Sequence, residues 1–228
     1  MAFPVSVDIV ADFVCPWCWL GKRNWDQAVA QTSGVKIETI WRPYQLDPTL
    51  PREGRPYREY MKSKFSGEEA AGRWQQMREF LEAAAPAAGI EFRFDDLKVR
   101  PNTLNAHRLM RWAAGQGLAD TTGEAIFAAF FKDCRDIGDP EVLTDIAETA
   151  GLERDIIANL LSGEQDAKDV WEEEMFYRKL GVSGVPTYIF NGSFAVSGAQ
   201  EPAVLADAIR EASQIDPSQD GEDMKEQA

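Results

Sequence analysis

Apolar and polar positions alternate along residues 5–14, with Val5, Val7, Ile9, Ala11 and Phe13 in phase. That is the period of a half-buried strand, and it runs up to Cys15. Residues 16–31 change period: Trp19, Leu20, Ala28 and Val29 fall among polar residues. Pro16 suits a first helical turn, where its missing N–H has no partner to lose. Gly34 closes that helix and residues 35–41 alternate again, so the start of the chain predicts a βαβ unit with parallel strands and a right-handed crossover. Four prolines mark residues 42–58 as loop.

From about residue 57 to 180 the spacing is helical. Ser66 and Glu69 have the form of a capping box, and Ala70, Trp74, Met77 and Leu81 share one face. Stripes at Leu104/His107/Arg108/Arg111, Ile126/Phe127/Phe130/Phe131, Val142/Leu143/Ile146 and Ile156/Ile157/Leu160 are separated by Gly, Pro and Asp, and about six helices fit. After Gly181, residues 187–190 and 193–196 flank Asn191-Gly192, a strong hairpin signal. Pro202 opens a last helix with Leu205, Ala208, Ile209 and Ala212 on one face, and residues 215–228 read as a disordered acidic tail.

The order is therefore β-α-β, a helical block, then β-β-α. This predicts an α/β chain whose residues 1–50 and 181–214 form one discontinuous domain, with residues 51–180 an all-helical insertion between its second and third strands. With 228 residues, 44% of them hydrophobic, the chain can fill a substantial core.

Charge and cysteine usage narrow the function. Lys and Arg total 24 against 38 Asp and Glu, a net −14 that repels nucleic acid. Residues 1–14 lack a basic leader, and no apolar run approaches the roughly 18 residues of a membrane span, so the expectation is a soluble cytoplasmic protein with no membrane partner. Three cysteines, two of them clustered, are too few for a secreted disulfide scaffold.

The chemistry points to Cys15-Pro16-Trp17-Cys18, set between a strand and a helix. A helix N-terminus favours the thiolate that attacks disulfides, which makes Cys15 the candidate nucleophile. Cys18, one turn later, can resolve the resulting mixed disulfide. Such spacing also occurs in packed cores and in zinc sites, but zinc needs two more ligands. Neither Cys134 nor His107, the only histidine, has a partner at metal-ligand spacing, so no metal is expected. Cys134, at the end of an apolar stripe, reads as a small packed hydrophobe, with a redox role as the alternative.

The chain resembles the DsbA-like branch of the thioredoxin superfamily, above all its FrnE-like members. The resemblance rests on Asp12-Phe13-Val14-Cys15-Pro16-Trp17-Cys18 and Gly184-Val185-Pro186-Thr187. Further matches lie at Trp41-Arg42-Pro43-Tyr44-Gln45-Leu46, Asn102-Thr103, Ala106-His107-Arg108 and Ser197-Gly198-Ala199-Gln200. It implies a thioredoxin fold interrupted by a helical domain, and an enzyme of the protein-disulfide oxidoreductase or isomerase kind. It further implies a cis Val185–Pro186 bond beside Cys15, with Val185 and Pro186 at the substrate. The expected substrate is a disulfide-containing protein or small molecule. No cofactor is expected beyond the redox-active disulfide, with glutathione as the candidate co-substrate.

Trp17 stands where the DsbA archetype has His, which removes a cationic stabiliser of the thiolate. The expectation is a milder oxidant than DsbA, acting toward reduction or isomerisation in a reducing cytosol. His107 and Gln200 are candidate substrate-binding positions; helix packing, and a polar residue ahead of Pro202, are their plainer roles. Two other functions remain open at this stage. One is a glutathione-dependent isomerase or kappa-class transferase, a group that typically has serine in place of Cys15 and does not need Cys18. The other is a non-catalytic adaptor.

Overall fold

A computed structural model describes residues 2–216. Strand β1 (Val5–Ala11) ends before the alternation does. Phe13 and Val14 are buried as turn residues, not as strand residues, and the Asp12 carbonyl accepts the Cys15 N–H at 3.1 Å to bend the chain into helix α1 (Pro16–Gln31). Strand β2 (Ile37–Pro43) runs parallel to β1, with Val5 opposite Ile37 and Ala11 opposite Pro43. Arg42 and Pro43 therefore belong to the sheet and not to the loop that the prolines suggested. Arg42 fits there because its guanidinium reaches Asp8 on β1 at 2.7 Å.

The hairpin of β5 (Thr187–Phe190) and β6 (Phe194–Ser197) completes a sheet of order β2-β1-β5-β6, β5 being antiparallel to both neighbours. Asn191 and Gly192 turn with φ of 53° and 73°, and Ser193 N–H closes the turn on the Phe190 carbonyl. Helix α9 (Pro202–Ala212) buries Leu205, Ala208, Ile209 and Ala212 and packs along α1. Val7 and Ile9 enter the main core. Val10, pointing to the opposite face of the pleat, packs with Tyr44 and Tyr177.

Between β2 and β5 the chain is mostly helical: α2 (Tyr57–Lys64), α3 (Glu68–Ala84), α4 (Leu104–Ala114), α5 (Ala119–Phe131), α6 (Pro140–Ala150), α7 (Arg154–Ser162) and α8 (Ala167–Lys179). It also holds a ribbon of two residues per strand, β3 (Arg55–Pro56) against β4 (Val99–Arg100), too short to carry a periodic signal. The Ser66–Glu69 capping box does not form: the N-cap is Gly67, at φ 90°, and no side chain among the described residues caps α3. In α7 the buried face is Ile157 and Leu161, leaving Ile156 exposed.

The helical segment is fastened to the sheet unit through α1. Trp19 stacks on Phe131 at 5.9 Å, and buried Lys22 reaches Asp26, Asp120 and Glu124 at 2.8, 3.0 and 3.7 Å. The fully buried Arg108 closes the end of α7 by donating to the carbonyls of Leu160 and Gly163, each at 2.8 Å. Of the expected acidic tail, residues 217–228 lie outside the described residues.

Candidate functional site

Cys15 is the N-cap of α1, with extended backbone (φ −96°, ψ 112°), and Pro16 takes the first helical position. Both cysteines are free thiols and both are buried. Stabilisation by the neighbouring Cys18 thiol is the main reason Cys15 ionises more readily than an ordinary thiol. The N–H groups of Cys18 and Trp17 assist, against burial and the Asp12 charge. Cys18 is driven well above the ordinary range by burial first and by Cys15 next. The pair is therefore polarised, Cys15 giving up its proton more readily than Cys18.

The Val185–Pro186 peptide is cis, and the Val185 carbonyl oxygen lies 3.7 Å from the Cys15 sulfur. The loop comes this close because position 21 is glycine. A β-carbon there would stand 2.5 Å from the Tyr188 phenol oxygen and 2.9 Å from Pro186 Cγ. The Tyr188 hydroxyl is buried without a hydrogen-bond partner among the described residues, and burial, followed by the charges of Cys18, Asp26 and Cys15, holds it protonated.

Asp12 is buried at the base of the site. One carboxylate oxygen accepts the Leu46 N–H at 2.8 Å; the other lies 3.4 Å from His107 Nε2, at ion-pair range but off hydrogen-bond alignment. Burial pushes this carboxyl up, and His107, Arg100 and the Leu46 N–H more than offset it, leaving Asp12 below the usual range. Leu46 is itself held by α8. Arg178 lies 3.9 Å over the Tyr44 ring and donates to the Gln45 carbonyl at 2.6 Å, while Glu174 accepts from Gln45 at 3.1 Å. The segment 41–46 thus links a distant helix to the carboxylate under the cysteines.

Cys15 opens into a cavity of about 270 Å³ whose walls are mostly apolar, with Trp17, Tyr57, Tyr60, Phe65 and Trp74 among them and Val185 at one side. The structure brings Cys15, Pro16, Trp17, Cys18, Val185 and Pro186 together. His107 lies behind Asp12 and lines a separate cavity of about 110 Å³ between β2 and α4. The Gln200 amide bonds back to the Ser197 carbonyl at 2.8 Å, and Gln200 is absent from the Cys15 cavity wall. Cys134 sits half-buried in the turn after α5, 3.6 Å from the Arg93 carbonyl. Among the described residues no cluster of three or more His, Cys, Asp or Glu is arranged to hold a metal, and no helix is long and apolar enough to cross a membrane.

Sequence reasoning assigned no role to Asp12, Gly21, Arg100 or Tyr188. A glycine inside a helical pattern was a usable signal for Gly21. A lone acid between Ala11 and Phe13 was one for Asp12. Nothing local distinguished Arg100 or Tyr188.

A family model described as a DSBA-like thioredoxin domain matches residues 6–210. The uncharacterized protein YwbO of Bacillus subtilis (strain 168) is 26% identical over 211 residues, 90% of this chain and 96% of that protein. The crystal structure of a probable DsbA oxidoreductase from Streptomyces coelicolor superposes with a TM-score of 0.82 at 28% identity, covering 91% of this chain and 89% of the other. The cytosolic disulfide reductase DsbM from Pseudomonas aeruginosa, solved with GSH, shares the fold at a TM-score of 0.65 and 16% identity, over 92% of this chain and all of that one.

Proposed function

This chain belongs to the DSBA-like thioredoxin family, and on that premise we propose that Cys15 and Cys18 carry out dithiol–disulfide exchange through a mixed disulfide on Cys15. The family and its relatives support thiol–disulfide oxidoreductase activity in general. The observation that carries the finer reading is the polarised pair: a Cys15 sulfur at a helix N-terminus, favoured as thiolate by the Cys18 thiol.

The Cys15 thiolate attacks one sulfur of a substrate disulfide. The S–S bond breaks, and the departing sulfur takes up a proton. Cys18 then gives up its proton and attacks the Cys15 sulfur, releasing the second substrate thiol and leaving a Cys15–Cys18 disulfide. Two electrons pass from the dithiol to the substrate, and two molecules of a thiol such as glutathione return them, leaving as their own disulfide. Asp12 is placed to influence the second step, since its charge opposes thiolate formation at Cys18. Val185 offers backbone groups beside Cys15 to an extended disulfide-bearing segment. Trp17 in place of a cationic residue favours reduction or isomerisation over strong oxidation, and a cytoplasmic setting accords with that direction.

The test is trapping. Cys18→Ala should accumulate a one-to-one mixed disulfide at Cys15, seen by intact mass and released by dithiothreitol, and Cys15→Ser should abolish turnover. Full turnover by Cys18→Ala would instead favour glutathione-dependent isomerisation or transfer. A wild-type protein that binds partners without turnover would favour an adaptor.

A further inference from the structure

Arg100 carries a positive charge into the interior beside Cys15, and among the described residues no carboxylate stands in ion-pair contact with it. It is 5% exposed. Its Nη1 donates to the Val14 carbonyl at 3.0 Å, its guanidinium lies 5.0 Å over the Tyr60 ring, and its buried Nε has no hydrogen-bond partner among the described residues. Other buried cations here are answered: Lys22 by three carboxylates, and Arg108 by one side-chain and three backbone oxygens. Asp12, whose field Arg100 shares, directs its oxygens to Leu46 and His107.

Desolvating a guanidinium is costly, and a charge-assisted bond to a carboxylate recovers much of that cost. The place from which such a carboxylate would arrive is the cavity that Arg100 and Cys15 both line. Among the described residues no Asp or Glu lines that cavity, Lys64, exposed on α2, is the only other cation there, and the remaining wall is Cys15 with aromatic and aliphatic residues and methionines. About 270 Å³ accommodates a ring-sized apolar group. Local structure commits Arg100 to this place: β4 pairs with β3, and Gly54 (φ 72°) lets the preceding turn lie against the Arg100 carbonyl, which a β-carbon there would approach to 2.6 Å.

We propose that this cavity recognises the carboxylate of a small aromatic or apolar disulfide, with Arg100 as the carboxylate-binding residue and Cys15 as the attacking sulfur. The proposal rests on the exchange reading for its reaction, while its recognition part stands on the unpaired cation. Arg100 also holds the Val14 carbonyl next to Cys15, so a purely positioning role is the competing account.

Two measurements separate these roles. The first needs no turnover: quenching of tryptophan fluorescence by phenylpropionate against phenylpropanol, with Trp17 and Trp74 in the cavity wall. The wild-type protein should bind the acid at least about tenfold more tightly than the alcohol. Arg100→Gln should lose that preference and Arg100→Lys should keep part of it. Equal binding of acid and alcohol by the wild type would overturn the proposal, whether or not either variant folds.

The second is turnover of dithiobis(nitrobenzoate) against the neutral dithiodipyridine. Arg100→Gln should lower kcat/KM on the carboxylate disulfide by at least about tenfold and on the neutral one by less than about threefold. Equal losses on both would assign Arg100 to positioning alone and sink the proposal. Acid preference in the binding experiment without wild-type turnover of either disulfide would uphold the carboxylate site and remove the exchange reading.

Discussion

His107 Nε2 lies 3.4 Å from a carboxylate oxygen of Asp12, and both side chains are buried. Asp12 titrates below its ordinary value in the folded protein despite burial, with His107 the largest opposing influence. Its ionised form therefore contributes stability that is complete above the unfolded carboxyl pKa, about 3.9, and is lost as pH falls through the lower folded value. His107→Ala should raise the midpoint of acid unfolding and lower stability at neutral pH by about 1–3 kcal/mol. Urea titrations followed by circular dichroism across the acid range read both, and an unchanged acid limb would contradict the pairing.

Cys18→Ala removes the thiol that contributes most to the readiness of Cys15 to ionise. The pH profile of Cys15 alkylation by iodoacetamide should then move to higher pH. Asp12→Asn should move the profile the other way, because the Asp12 charge opposes thiolate formation at both sulfurs. Mass mapping of the alkylated peptide identifies which sulfur reacted.

Gly21→Ala places a methyl group against the Tyr188 hydroxyl and Pro186. The loop bearing Val185 has to retreat from α1, and overpacking of this kind costs about 1–3 kcal/mol. Thermal unfolding should report that loss. Turnover should fall as well, whereas Gly72→Ala, whose added carbon meets nothing among the described residues beyond its own stretch of helix, should leave both intact.

Trp17→His places a titratable cation beside Cys15, in exchange for an indole that lies 5.4 Å from Phe80. An imidazolium stabilises the thiolate, hence the reduced form, so the variant should be a stronger oxidant than the wild type. Equilibration against glutathione should show the variant reduced under conditions that leave the wild type oxidised.

The thioredoxin-like order β-α-β, helices, β-β-α was legible because period 2 and period 3.6 are local properties of sequence. Asn191-Gly192 and Pro202 punctuated the second half in the same local way. The limits of the elements were less so. Phe13 and Val14 are buried in a turn and prolonged the strand pattern past Ala11, while Arg42 and Pro43 joined β2 through pairing that their own composition does not announce.

The environment of the cysteines was the least legible part. It is assembled from positions far apart in the chain: Arg100 meets Val14 across 86 residues, and Val185 meets Cys15 across 170. His107 reads equally well as a cleft residue or a packed one until Asp12 is seen opposite it. Gln200 turns its amide back to Ser197 at the end of β6, a local contact that hydropathy does not reveal.

Whether Cys15 and Cys18 form a reversible redox pair is decided by equilibrating the Cys134→Ala protein in glutathione buffers of graded potential, quenching by alkylation and reading intact mass. One transition is expected, in which Cys15 and Cys18 gain or lose alkylation together, fitting a two-electron exchange. Failure of the two sulfurs to form a disulfide at any potential, or independent titration of each, would contradict such a pair.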